Sequence, residues 1–161
     1  MEKMPFNFYA VIAATFVTLI IGFLWYSPKV FGTIWMKECG ITQEKAKQFN
    51  MLKVFGLTIV YSFMLAFILP TIVNHQMGAM GLFDGNPKNP VYIELMKTHG
   101  NVYRSFKHGA LHGFFAGLFI ALPMTAINGL FEQKSWKYIL INAGYWIVSL
   151  TIMGAIICGW K

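Results

Sequence analysis

The sequence predicts an all-α membrane protein, a bundle of four transmembrane helices with both termini on the same side of the membrane. Of its 161 residues, 57% are hydrophobic and only 12% are charged, whereas roughly 25% of the residues in a soluble domain are charged. Four segments lack Asp, Glu, Lys and Arg over the roughly 20 residues that a helix needs to cross a bilayer. Their apolar runs are continuous rather than alternating, which favours helices over a β-barrel.

The first helix is predicted over residues 6–26 of a single domain that covers residues 1–161. Its apolar stretch exceeds the roughly 7 to 15 residues of a secretory signal core and ends in WYSP rather than at a small-residue cleavage site. We therefore expect this helix to remain in the protein. In the loop that follows, Thr42 is predicted to cap a short surface helix over residues 43–50.

The remaining helices are predicted over residues 54–73, 107–130 and 137–160. Pro70 and Pro123 fall inside two of them, and each is expected to kink its helix because proline cannot donate a backbone hydrogen bond. A long loop over residues 74–106 contains the turn-forming run GLFDGNPKNP. The VYIELMKTH that follows predicts a short amphipathic helix within this loop.

The formal charge of +7 is spread over the loops that flank these helices. Basic side chains in such positions meet phospholipid head groups, so we expect the lipid bilayer as a partner and no nucleic acid. More lysine follows the first helix than precedes it. This asymmetry favours the side of the first and third loops as the cytoplasmic one.

A stripe of small residues runs along the start of the third helix. Gly109, Gly113 and Gly117 recur every fourth residue, with Ala116 beside them. Glycine at this spacing lets a second helix approach closely, within the chain or across an oligomer. The stripe therefore predicts a packing face, and we expect a homo-oligomer.

Polar residues inside the predicted spans are sparse. Asn142 lies about one turn inside the fourth helix and Asn128 approaches it from the end of the third, so a hydrogen bond between Asn128 and Asn142 is expected to help helix packing. Histidine is the only ionisable residue type deep in the spans, so an ion pump lacks its usual charged groups. No Ser or Cys lies near both a His and a carboxylate, so we predict no catalytic residues.

His108 and His112 also lie one turn apart, on a stripe centred about 120° from the glycine stripe at 100° per residue. His75 ends the second helix, and four spans bring His75, His99, His108 and His112 to the same side of the membrane. Imidazole is a common zinc and copper ligand. His108, His112 and His75 are therefore candidate ligands of a transition metal, with the fourth from Asp84, Glu94 or Met77.

Two other roles fit the same histidines. His108 can lie among the head groups while His112, one turn deeper, hydrogen-bonds a backbone carbonyl or the Asn74 amide. Alternatively, the histidines can relay protons, since imidazole titrates near neutral pH. The histidines are not part of an HExxH motif, which would favour metal binding over these two roles.

Three blocks together carry a family pattern. They are GFLWYSPKVFGTIWMKECGIT at residues 22–42, FKHGALHGFFAGLFIALPM at 106–124 and NGLFEQKSWKYILINAGYWIVSLTIMGAIICGW at 128–160. The WYSP-like helix exit followed by FG and W, with later N-x-LFE, INAGY and MGAI, resembles the small membrane proteins known as domain of unknown function 1761. This resemblance implies a four-helix protein of predominantly bacterial type, expected in the inner (cytoplasmic) membrane. It implies no activity.

The sequence leaves several functions open. The first is a non-enzymatic packing or scaffold bundle that self-associates. The alternative, from a different class, is a metal-binding or small-solute transport protein that uses the histidines on one membrane face. A membrane enzyme with a metal centre is the third.

Overall fold

The chain forms four long helices, as the computed structural model, which describes residues 6–161, shows. We call Phe8–Trp25, Met51–Val73, Phe106–Phe131 and Trp136–Gly159 the first to fourth spans. Each is long and apolar enough to cross a membrane, and residues 6–161 contain no strand. The prediction of an all-α membrane protein with four spans is confirmed, and the ends of the spans differ from the predicted ones by at most three residues.

Three of the spans are interrupted. The first divides at Phe16 into Phe8–Thr15 and Val17–Trp25, where the Thr15 and Thr18 hydroxyls donate to backbone carbonyls of the preceding turn, at 2.9 and 3.3 Å. Such side-chain bonds bend helices. The second divides into Met51–Ile68 and Pro70–Val73, at the proline that the sequence marks. The third consists of Phe106–Ala116, a π-helical turn over Gly117–Ala121, and Leu122–Phe131.

Short helices fill the loops: Gly32–Cys39, Gln43–Lys47, His75–Gly81 and Pro90–His99. Thr42 caps the second of these by accepting from the Lys45 amide at 3.3 Å, as predicted. That helix is shorter than expected because Asn50 caps the second span. The predicted helix of the long loop begins at Pro90. The helices Gly32–Cys39 and His75–Gly81 were not predicted from the sequence.

The third and fourth spans make the most extensive contact of the fold. A methyl group added at Gly109 would collide with the Gly154 carbonyl oxygen, and one at Gly113 with the Leu150 carbonyl oxygen. At Gly117 the added carbon would lie 2.5 Å from the Ile147 Cα. The glycine stripe therefore faces the fourth span of the same chain, with Ala116 buried beside it.

Aromatic side chains at the exit of the first span dock onto the fourth. Trp25 donates its indole N–H to the Ile141 carbonyl at 3.0 Å. The side-chain oxygen of Asn142 accepts from the Tyr26 hydroxyl at 2.9 Å and from the Trp35 indole at 3.3 Å. The side-chain nitrogen of Asn142 donates to the backbone carbonyl of Tyr138 at 2.8 Å. These partners differ from the predicted one.

The predicted partner, Asn128, has an exposed side chain. It lies in the last turn of the third span, where its carbonyl oxygen accepts from the Glu132 amide at 2.9 Å. The Asn142 side chain instead bonds to groups of the first span's exit and of its own helix, so the amide joins a different pair of elements from the pair expected.

The beginning and end of the bundle lie side by side. The Asn7 amide donates to the Trp160 carbonyl at 3.2 Å, which joins the start of the first span to the end of the fourth. This contact agrees with an even number of spans, while the side of a membrane that the termini occupy stays a prediction. A core between the spans includes Val11, Ala66, Leu69, Leu150 and Met153.

Candidate metal centre

Two histidines of the cluster come from the start of the third span. The Ser105 hydroxyl accepts from the His108 amide at 3.2 Å and so fixes where the helix begins. One turn later His112 lies on the same face, and the centroids of the two rings are 4.5 Å apart. Because the glycine stripe faces the fourth span, this neighbouring face is left for the end of the second span.

An interruption of the helical backbone at Asn74 brings the third histidine to this face. Asn74 is extended, with φ −112° and ψ 107°, between the helices Pro70–Val73 and His75–Gly81. The chain turns there, and His75 begins the new helix with its ring centroid 5.0 Å from that of His108 and 5.1 Å from that of His112. The Nε2 atoms of His75 and His108 are 2.9 Å apart.

The spacing of the imidazole nitrogens suits a metal. One ligand atom from each of His75, His108 and His112 lies within 4.8 Å of the other two. Zinc–nitrogen bonds of about 2.0–2.1 Å at tetrahedral angles place ligand nitrogens about 3.3 Å apart. The observed spacing of the three nitrogens is therefore close to the one that a single ion requires. The structure thus brings together the three histidines that the sequence singles out.

The expected fourth ligands do not join this group. Among the described residues the group holds three imidazoles and no carboxylate or thiolate. Glu94 pairs instead with Lys97 at 3.0 Å on the surface, and Asp84 lies in a turn with a φ of 55°. Met77 is two residues after His75 in the same helix, a spacing at which side chains do not face each other.

Tyr103 borders the histidines, a position that was not predicted from the sequence. Its ring stacks on His108 with centroids 5.1 Å apart and meets His75 edge-on at 5.8 Å. Its φ of 63° is left-handed, which costs a bulky residue on the order of 1–3 kcal/mol. The backbone there is held because the Tyr103 carbonyl accepts from the Ser105 amide at 3.0 Å and from the Cys158 thiol at 3.4 Å.

Arg104 anchors the same segment to the end of the fourth span. Its guanidinium is buried and donates to the Cys158 carbonyl at 3.0 Å and to the Trp160 carbonyl at 3.4 Å. A cation at this helix C-terminus also complements the helix dipole. Burial lowers the pKa of Arg104, yet a guanidinium remains protonated in proteins. Arg104 therefore holds Tyr103 and the Ser105 cap in place.

Two clefts open beside the cluster. One, of about 380 Å³, is lined by His75, Gln76, Leu95, Met96, His99 and Tyr103 among others. The other, of about 530 Å³, is lined by residues that include Tyr103, Ser105, Lys107 and His108. His99, the fourth histidine, thus lies near the cluster but outside it, with its Nδ1 2.7 Å from the Thr98 hydroxyl.

A family model described as "Protein of unknown function (DUF1761)" matches residues 9–158. No curated protein and no solved structure matches the chain. The matched range extends from the first span to the end of the fourth and includes all three histidines of the cluster.

Proposed function

Because this chain belongs to the DUF1761 family, whose description assigns no activity, we propose a function from the site itself: a multi-pass membrane protein that binds a transition metal. The proposed ligands are His75, His108 and His112. Zinc and copper are the ions that suit three neutral imidazoles.

The convergence of three imidazoles from two spans carries this proposal. His75 is 33 residues from His108 in sequence, and yet their Nε2 atoms are 2.9 Å apart. Without metal, that pair can share one hydrogen bond, with one ring as donor and the other as acceptor. With metal, all three rings turn their nitrogens to a single ion. The two states differ in metal content, which can be measured.

Elemental analysis of protein purified in mild detergent and dialysed tests the proposal. Wild type supplied with zinc or copper is expected to keep roughly one ion per chain, since one four-coordinate centre uses all three imidazoles. The double variant His108→Ala/His112→Ala is expected to lose it. His99→Ala is the matched control, because His99 borders the same cleft as His75 but lies outside the group.

Two results would contradict the proposal. One is folded wild type that holds no metal after zinc and copper have each been supplied. The other is a double variant that retains as much metal as wild type. Circular dichroism and a thermal melt of each variant show whether the helices are intact, so loss of the ion can be separated from loss of the fold.

A self-associating scaffold, the first reading of the sequence, draws less support from the contacts. The face of Gly109, Gly113 and Gly117 meets the fourth span, so a second copy would have to use another surface. We retain self-association, binding without catalysis and a bacterial inner membrane as proposals. Size measurement in detergent tests the first of these.

A further inference from the structure

We infer that the metal keeps an open coordination position and takes a small anion from solution as its exchangeable ligand. This inference rests on the proposed metal site. The inference adds which ligand that site recognises. This ligand is an anion with one negative charge, small enough to enter the clefts beside Tyr103.

The number of ligands is the first argument. Zinc is four-coordinate in proteins, and sites with three protein ligands hold water or a substrate at the fourth position. Within residues 6–161 the cluster supplies three imidazoles and neither a carboxylate nor a thiolate. One position is therefore left for a ligand from outside.

The charge around the cluster is the second argument. Three neutral imidazoles leave the two positive charges of a divalent ion uncompensated. Lys107 lines the same cleft as His108 and adds a further positive charge at its wall. The carboxylate of Glu94 is paired with Lys97. An anion at the open position reduces this excess positive charge more than a neutral ligand does.

The cluster also has space beside it for a ligand from solution. Clefts of about 380 and 530 Å³ both border Tyr103; His75 of the cluster lines the first and His108 lines the second. Ligand pockets for small molecules start at about 300 Å³. Tyr103, whose ring stacks on His108, lines both clefts.

Cobalt(II) provides a visible probe of this position, because its d–d absorption changes with coordination number and with each ligand. Wild type in detergent and chloride-free buffer is loaded with cobalt(II), dialysed, and its cobalt content measured. Sodium azide is then titrated in. We expect a saturable shift of the cobalt bands with a single binding constant. Tyr103→Phe is expected to show the same shift, because it keeps the ring and removes only the phenol oxygen.

The outcomes separate the two proposals. If wild type binds neither cobalt nor zinc nor copper, both fail. If cobalt binds stoichiometrically but azide leaves its spectrum unchanged, the metal site stands and the open position is refuted. A cobalt spectrum that changes in Tyr103→Phe before azide is added would make the phenol the fourth ligand and would also refute it. His112→Ala serves as the control for azide binding to cobalt outside the site.

Discussion

At the scale of single residues, the Asn142 amide joins three separate segments. Its oxygen accepts from Tyr26, next to the end of the first span, and from Trp35 in the loop helix Gly32–Cys39, while its nitrogen donates to Tyr138 one turn back. The Tyr26 hydroxyl is partly buried in this cluster, and burial raises the pKa of that phenol. The hydroxyl is therefore a donor throughout the ordinary pH range.

Replacing Asn142 by Ala is expected to lower the free energy of unfolding by about 0.6 to 2 kcal/mol, because two aromatic donors lose their acceptor. Asn128→Ala is the matched control and should change it by less than about 0.5 kcal/mol, since the Asn128 side chain is exposed. Thermal melts in one detergent measure both. Equal losses in the two variants would contradict the assigned partners.

The sequence could point to Asn142 but not to its partners. A polar residue near the end of an apolar helix is visible in the sequence, and it predicts a hydrogen bond. Which donor reaches it depends on how the WYSP exit turns and on where the helix Gly32–Cys39 places Trp35. No local pattern encodes that long-range placement. Tyr103 was missed for the same reason, because its backbone is held by contacts with the distant fourth span.

At the scale of helices, the close contact between the third and fourth spans depends on residues that have no side chain. A carbon added at Gly113 would collide with the Leu150 carbonyl oxygen, and one added at Gly154 would lie 3.1 Å from the Cα of Gly113. Backbone atoms cannot rotate away as a flexible side chain can. A substitution at Gly113 therefore has to push the two helices apart.

We predict that Gly113→Ala lowers the free energy of unfolding by about 1 to 3 kcal/mol, the usual cost of overpacking. Gly56→Ala is the control, because a carbon added there meets nothing within 4 Å. Its expected effect is a stabilisation of up to about 1 kcal/mol from helix propensity. Chemical or thermal unfolding followed by circular dichroism measures both. An unchanged Gly113→Ala protein would refute the packing role of the stripe.

The four spans were predictable because the thickness of the bilayer sets how many consecutive apolar residues a spanning helix needs, and such runs can be read directly from the sequence. The break at Pro70 was predictable too, since proline removes a donor. The interruption at Phe16 was not predicted; it accompanies hydroxyl bonds of Thr15 and Thr18 to backbone carbonyls of the preceding turn. The glycine spacing predicted a helix-packing face, but only the fold shows that this face packs against the fourth span.

At the scale of the whole molecule, the cluster links the end of the second span to the start of the third, on either side of the long loop. Counting four spans predicts that His75, His108 and His112 share one side. It cannot predict that their nitrogens meet, because the extended backbone at Asn74 decides where His75 points. A metal at this position would hold the two ends of the loop together.

X-ray absorption at the zinc edge, on detergent-purified wild type loaded with one equivalent of zinc, tests the metal site most directly. The account predicts three nitrogen neighbours at about 2.0–2.1 Å with the outer-shell signature of imidazole, together with one exchangeable ligand from solution. In the double variant His108→Ala/His112→Ala this signature should fall to one imidazole or vanish. A shell made only of oxygen, or one with no more than one imidazole in wild type, would contradict the account.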